Sequence, residues 1–151
     1  MKKVLVLIAL SVFCSSLYSQ SNKSIDDIKS SIENQYIEFC SQLNKQLPMV
    51  VDKVTTLKSV AFIDWTMTVY YQLEIDTSGY DEDTLKSILV EIRKGQKKQI
   101  PSMVANGIYK FNQRELYEYL KETGLRFRFV YHDINNKPIG VNEFDYNDFK
   151  I

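Results

Sequence analysis

Cys40 and His132 are the two residues whose chemistry could support a nucleophilic mechanism, and His132 is the only histidine in the chain. A catalytic thiolate needs a base within hydrogen-bond reach and an electropositive, partly exposed setting. The neighbouring residues argue against that setting. Cys40 falls on an apolar stripe of helical period, where a small buried hydrophobe is expected. His132 falls at the end of an alternating stretch, on the side away from the aromatics. Carboxylates offer a second chemistry, but no spacing singles out a pair among the 19 acidic residues. A small hydrolase using carboxylates or a Cys40–His132 pair stays as an alternative function.

Metal and cofactor signals are weaker. Asp76, Asp81 and Asp83 surround a loop containing Gly79, yet their spacing does not match a twelve-residue calcium loop. Acids just before a helix usually cap it. No Cys or His pair has zinc-ligand spacing, and the five glycines are too scattered for a phosphate loop or dinucleotide fingerprint. The expectation is therefore no catalytic set, no metal and no cofactor.

A surface is the better candidate. Leu125, Phe127, Phe129 and Tyr131 alternate with Arg126, Arg128, Val130 and His132. Met67, Val69, Tyr71, Leu73 and Ile75 alternate with Thr66, Thr68, Tyr70, Gln72 and Glu74. If the two runs share a sheet, Thr68, Tyr70, Gln72 and Glu74 join Arg126, Arg128 and His132 on one face. Tyr and Arg are the residue types that binding hot spots favour. Trp65, the only Trp, sits at the start of the second run, either as an exposed anchor or folded onto the core. The candidate binding residues are Tyr70, Arg126, Arg128, His132 and Trp65. The plainer reading is a wet sheet face with Arg126 and Arg128 paired to Glu74 and its neighbours.

Several elements must position this face. Ser24 to Gln46 reads as a helix with Ser24 and Asp27 forming a capping-box-like start. Its stripe is Ile25, Ile28, Ile32, Tyr36, Phe39, Leu43 and Leu47, and Pro48 stops it. Thr55 to Phe62 and Thr66 to Ile75 form a hairpin turning near Asp64 and Trp65. A second helix begins near Asp81 with Leu85, Ile88, Leu89 and Ile92 inward. Arg93, Lys94, Lys97 and Lys98 gather near its end, complementing the helix dipole, and Pro101 is expected to break or restart it. Asn112 with Glu115 caps a third helix, which Gly124 ends. Asn135 and Asn136 make a turn into a short edge strand from Pro138 to Val141. Phe144, Tyr146 and Phe149 mark a tail that covers the sheet.

The first nineteen residues carry a separate message. Lys2 and Lys3 precede an apolar run from Val4 to Phe13 and a small, polar exit, the pattern of a secretory signal peptide over residues 1–19. The run is too short to span a bilayer. Cleavage is expected between Ser19 and Gln20. This start resembles that of exported proteins of Bacteroidetes-type bacteria, a resemblance confined to the leader. Lipidation at Cys14 is the alternative, although Phe13 occupies the place where a lipoprotein signal has a small residue.

Removing 19 of 151 residues leaves 132, enough for one domain, 20–151, with one core. Basic residues fall from 19 to 17 against 19 acids, a net charge of −2. That balance gives no electrostatic reason for nucleic acid as partner. The mature chain would hold one cysteine and therefore no internal disulfide.

The order of elements predicts an α+β domain: an antiparallel sheet of about four strands with a long N-terminal helix and two further helices on one face. This arrangement is similar to cystatin-like folds, a likeness of fold only. The expected function is an exported, periplasmic or secreted, non-catalytic binding module, inhibitor-like or a subunit of an envelope assembly. Its partner would be a protein or other envelope component, with no transmembrane segment in the mature chain and the oligomeric state left open. The remaining alternative is a structural envelope protein anchored through Cys14.

Overall fold

A computed structural model describes residues 25–104 and 112–150. The leader, Cys14, the Gln20 start and the Ser24 cap lie outside the described residues. Helix α1 spans Ile25–Asn44 and is followed by strands β1 (Met49–Val50), β2 (Thr55–Ile63) and β3 (Thr66–Leu73). Helices α2 (Glu82–Val104) and α3 (Gln113–Thr123) come next, then β4 (Arg126–His132), β5 (Pro138–Phe144) and a 3₁₀ turn, Tyr146–Phe149.

The strands form one five-stranded sheet in chain order. β3 and β4 run parallel; every other neighbouring pair is antiparallel. The sheet is thus mixed, with five strands rather than about four, and this corrects the antiparallel expectation. The reason is the connection. A tight turn reverses a strand, whereas a long helical crossover returns the chain in the same direction. α2 and α3 fill that crossover.

The β2–β3 turn is a two-residue loop in which Asp64 and Trp65 both have positive φ, 49° and 56°. That backbone matches the right-handed twist of the flanking strands. α1 ends at Asn44, two residues short of the expected Gln46. There the Asn44 side chain accepts from Val60 N at 3.0 Å and donates to Val60 O at 2.7 Å. It extends the short β1 as a cover for the β2 edge, satisfying backbone groups that would otherwise be open.

α2 runs through Pro101 to Val104, so the expected break does not occur. Gln96, Ile100 and Val104 are all buried at a spacing of four, and this packing outweighs the missing amide. Consequently Arg93, Lys94, Lys97 and Lys98 are not a terminal cluster complementing the dipole. Arg93 stacks over Phe144 at 4.1 Å and pairs with Asp148 at 2.5 Å, while Lys94 pairs with Glu91. α3 matches its expected caps: Asn112 and Glu115 form a reciprocal capping box, and Gly124 is left-handed at φ 74°.

The core lies between the helices and one face of the sheet. Leu57, Val60, Phe62, Met67, Val69, Leu73, Phe127, Phe129, Tyr131 and Phe144 point into it. Tyr36 of α1 stacks on Phe62 at 4.9 Å. α2 meets β5 at Gly140, where an added Cβ would lie 2.3 Å from Leu89 Cδ1, so a larger residue would require the Leu89 side chain to shift. A polar network is enclosed here: Gln96 donates to the Tyr131 hydroxyl, and Asn142 donates to Gln96 Oε1 and Leu89 O at 3.0 and 3.1 Å.

Candidate functional site

The outward face of the sheet is set by strand register. Thr66, Thr68 and Gln72 stand opposite Arg126, Arg128 and His132, and Tyr70 opposite Val130. β5 adds Glu143 beside Arg128 and Val141 beside Val130. The two alternating runs therefore meet the condition set for them and share a sheet face.

Part of this face is concave. An open depression of about 530 Å³ is bounded by Thr66, Thr68 and Tyr70 of β3 and by Arg126 and Arg128 of β4. Ile63 and Asp64 close one end; Glu143, Asp145 and Asp148 close the side next to β5. Arg128 Nε pairs with Glu143 Oε1 at 3.2 Å across an exposed surface. Among the described residues the Arg126 side chain donates only to the Asp64 carbonyl, at 3.4 Å. Neither arginine reaches Glu74, which lies beyond the end of β3 and pairs through its backbone with Val54. The expected Glu74 partnership is corrected on that ground.

Two of the other acids are already engaged, whereas the Asp64 carboxylate has no ion pair among the described residues. Asp148 takes Arg93 and the Asp145 amide, and Asp145 caps the 3₁₀ turn by accepting from Asn147 N at 2.7 Å. Ile63 is 68% exposed at the rim, a large apolar side chain left in solvent. The depression thus presents two guanidinium groups, the Asp64 and Glu143 carboxylates, the Thr68 and Tyr70 side chains and one apolar contact.

The five candidate residues divide. Tyr70, Arg126 and Arg128 come together in the depression. His132 shares the face but stands four residues along β4 from Arg128, about 13 Å at strand rise. Trp65 is turned the other way: it is half-buried against the core, edge-on to Phe62 at 6.0 Å. Glu143, Asp145, Asp148 and Ile63 were not anticipated as site residues. Alternation of Val141 and Glu143 with Asn142 and Phe144 carried the signal for Glu143; the acids of the tail had none.

Cys40 and His132 are not brought together. Cys40 is buried in the core on α1, on the helix-covered side, while His132 is on the outward side of β4. Burial pushes the Cys40 thiol up to about 11, the reverse of an activated nucleophile. Asp76 and Asp81 act as local caps, accepting from Ser78 N at 2.9 Å and Thr84 N at 2.8 Å. Among the described residues no three metal-ligating side chains converge, and no helix is long and apolar enough to cross a membrane.

Two solved structures share this architecture over nearly their whole length. A protein from Pseudomonas aeruginosa described as secreted superposes with a TM-score of 0.56, at 11% identity, over 85% of this chain and 100% of that one. The pilotin EpsS of the Vibrio vulnificus type 2 secretion system gives 0.51, at 10% identity, over 83% and 98%. The chain shares their fold. The pilotin AspS of Vibrio cholerae gives 0.48, at 10% identity, over 83% and 99%. No protein family and no curated protein matches the sequence. At such identities a likeness speaks for the backbone and leaves individual side chains to be argued on their own geometry.

Proposed function

We propose that the domain is an exported, non-catalytic binding module that serves as a subunit of an envelope assembly and holds a protein partner on the outward face of its sheet. The observation that carries this reading is the depression where Tyr70, Arg126 and Arg128 converge on a rigid sheet. Binding side chains held on strands are positioned more tightly than those on loops. Support of a different kind comes from the backbone, which is shared with a secreted protein and with a pilotin of a secretion system. The leader pattern of residues 1–19 accords with an exported protein.

The test is a comparison of two immobilised proteins. A Tyr70→Ala, Arg126→Ala, Arg128→Ala triple variant keeps the wild-type thermal midpoint, because all three side chains leave the core untouched. It is expected to lose an envelope protein that the wild type retains from extract. Equal retention by both proteins contradicts the reading. The export component has its own measurement: the intact mass of the mature protein should correspond to a chain starting at Gln20, and an acylated Cys14 or an intact leader refutes that start.

A further inference from the structure

We propose that the depression recognises an extended acidic peptide segment of the partner, with carboxylates at positions i and i+2 bound by Arg126 and Arg128. This inference rests on the binding role proposed above and gives that role a ligand chemistry.

The spacing comes first. Arg126 and Arg128 are two residues apart on one strand, so their side chains leave the same face about 7 Å apart. Alternate side chains of an extended peptide have the same separation, so acids at positions i and i+2 meet both arginines in register. A helical segment places its same-face side chains three or four residues apart and matches less well.

Availability comes next. Arg126 has no acidic partner among the described residues; its contact is the weak one to the Asp64 carbonyl. Arg128 uses Nε for Glu143 and keeps both terminal nitrogens for a second acceptor. The Arg128–Glu143 pair is half-exposed on the arginine side and 66% exposed on the other, so an incoming carboxylate can displace Glu143 at small cost. Thr68 and Tyr70 are half-buried beside these groups, and their hydroxyls can each donate to a carboxylate. Ile63, exposed at the rim, offers a contact for an apolar residue flanking the acids.

Four carboxylates, Asp64, Glu143, Asp145 and Asp148, also line the depression and set the competition an acidic ligand meets. Asp148 is neutralised by Arg93, and Asp145 is spent on its cap. Glu143 and Asp64 are the remaining competitors: Glu143 occupies Arg128 as an incoming carboxylate would, and the Asp64 carboxylate, at the end of the depression, has no ion pair among the described residues. The site therefore makes a prediction of unusual sign. Removing the charge of Glu143 should strengthen binding of an acidic ligand, although the residue lines the site.

The probe is an acetylated, amidated octapeptide of alternating Glu and Thr, with its Gln and Lys counterparts as controls, titrated against the intact domain by fluorescence anisotropy. The Glu peptide is expected to bind at least about tenfold more tightly than the Gln peptide. Its binding should weaken as salt is raised, because the groups are exposed. Arg126→Ala should weaken it about tenfold, Arg126→Lys less, and Lys86→Ala on the far side of α2 not at all. Glu143→Gln should tighten it severalfold. Equal binding of the Glu and Gln peptides, no binding of either, preference for the Lys peptide, or weakening by Glu143→Gln each overturns the proposal. The two readings fail separately. If the Glu peptide is ignored while the triple variant still loses its envelope protein, the binding role stands and the acidic ligand falls. If the triple variant retains the envelope protein, the face itself is not the site.

Discussion

One strand, β4, contributes to two surfaces with opposite jobs. Phe127, Phe129 and Tyr131 point into the core, where each is at most 3% exposed. Arg126 and Arg128, their immediate neighbours in sequence, stand in solvent on the other side. The inward face is crowded: Phe127 stacks with Phe129, Phe129 meets Phe144 edge-on, and Tyr131 stacks with Tyr71. The outward face has room, two cations and hydroxyls without crowding. The difference teaches that the side chains that hold the fold and those proposed to bind are separable here, residue by residue, because a period of two assigns every side chain to one surface or the other.

The sharpest way to break this comparison is to cut into the inward face. Phe127→Ala removes a ring that is 1% exposed and leaves a cavity, which should cost about 3–5 kcal/mol in denaturant unfolding. A loss below about 1 kcal/mol would mean that this face is not close-packed. Tyr131→Phe is subtler, since the ring stays. It removes the acceptor of the Gln96 amide in a buried network, and the stranded group should cost about 1–3 kcal/mol.

Titration sharpens the same contrast. The buried Cys40 thiol has its pKa raised from 9.0 to about 11 by desolvation. Its unfolded form ionises first, so its contribution is complete below pH 9 and is lost as pH rises towards 11. Denaturation midpoints should fall over that range, and a thiol reagent at neutral pH should label Cys40 only after unfolding. Rapid native-state labelling would revive the thiol hydrolase. At the acid end, Asp133 behaves in the opposite sense. Burial pushes its carboxyl up, but hydrogen bonds from Thr77, Lys137 and Asn135 outweigh burial and hold it below its ordinary value. That contribution is present above the ordinary carboxylate value and lost as pH falls below it through the lowered native value.

The smallest expected effect on stability is on the outward face. Arg126→Ala and Arg128→Ala should each shift unfolding by less than about 0.5 kcal/mol. Arg126 makes only a long carbonyl contact, and the Arg128–Glu143 pair is exposed. A large loss at either position would show that the outward residues also hold the fold.

Much of this division was legible in the alternating runs. Thr66 to Leu73 and Arg126 to His132 sort correctly into two faces because each residue obeys a local period. The caps of α3 at Asn112 and Gly124 were legible for the same reason: capping is decided within four residues. The parallel pairing of β3 with β4 was not. Nothing local distinguishes a strand that returns by a turn from one that returns by a crossover, and the lengths of α2 and α3 decide it. Pro101 misled because its local penalty is real, but Ile100 and Val104 are buried by contacts distant in sequence. Trp65 was half-legible. Its place at the turn was visible, whereas the side of the sheet it takes depends on the positive φ values of the loop. Glu143 became part of the depression only through its register with Arg128, which no single strand reveals.

The central claim is that the outward sheet face is where the partner sits, and site-specific photo-crosslinking in envelope extract tests it most directly. A photo-reactive side chain at position 70, inside the depression, should form an adduct with an envelope protein, and one at position 86, on the exposed side of α2, should form none. An adduct at 86 with none at 70 would contradict the account.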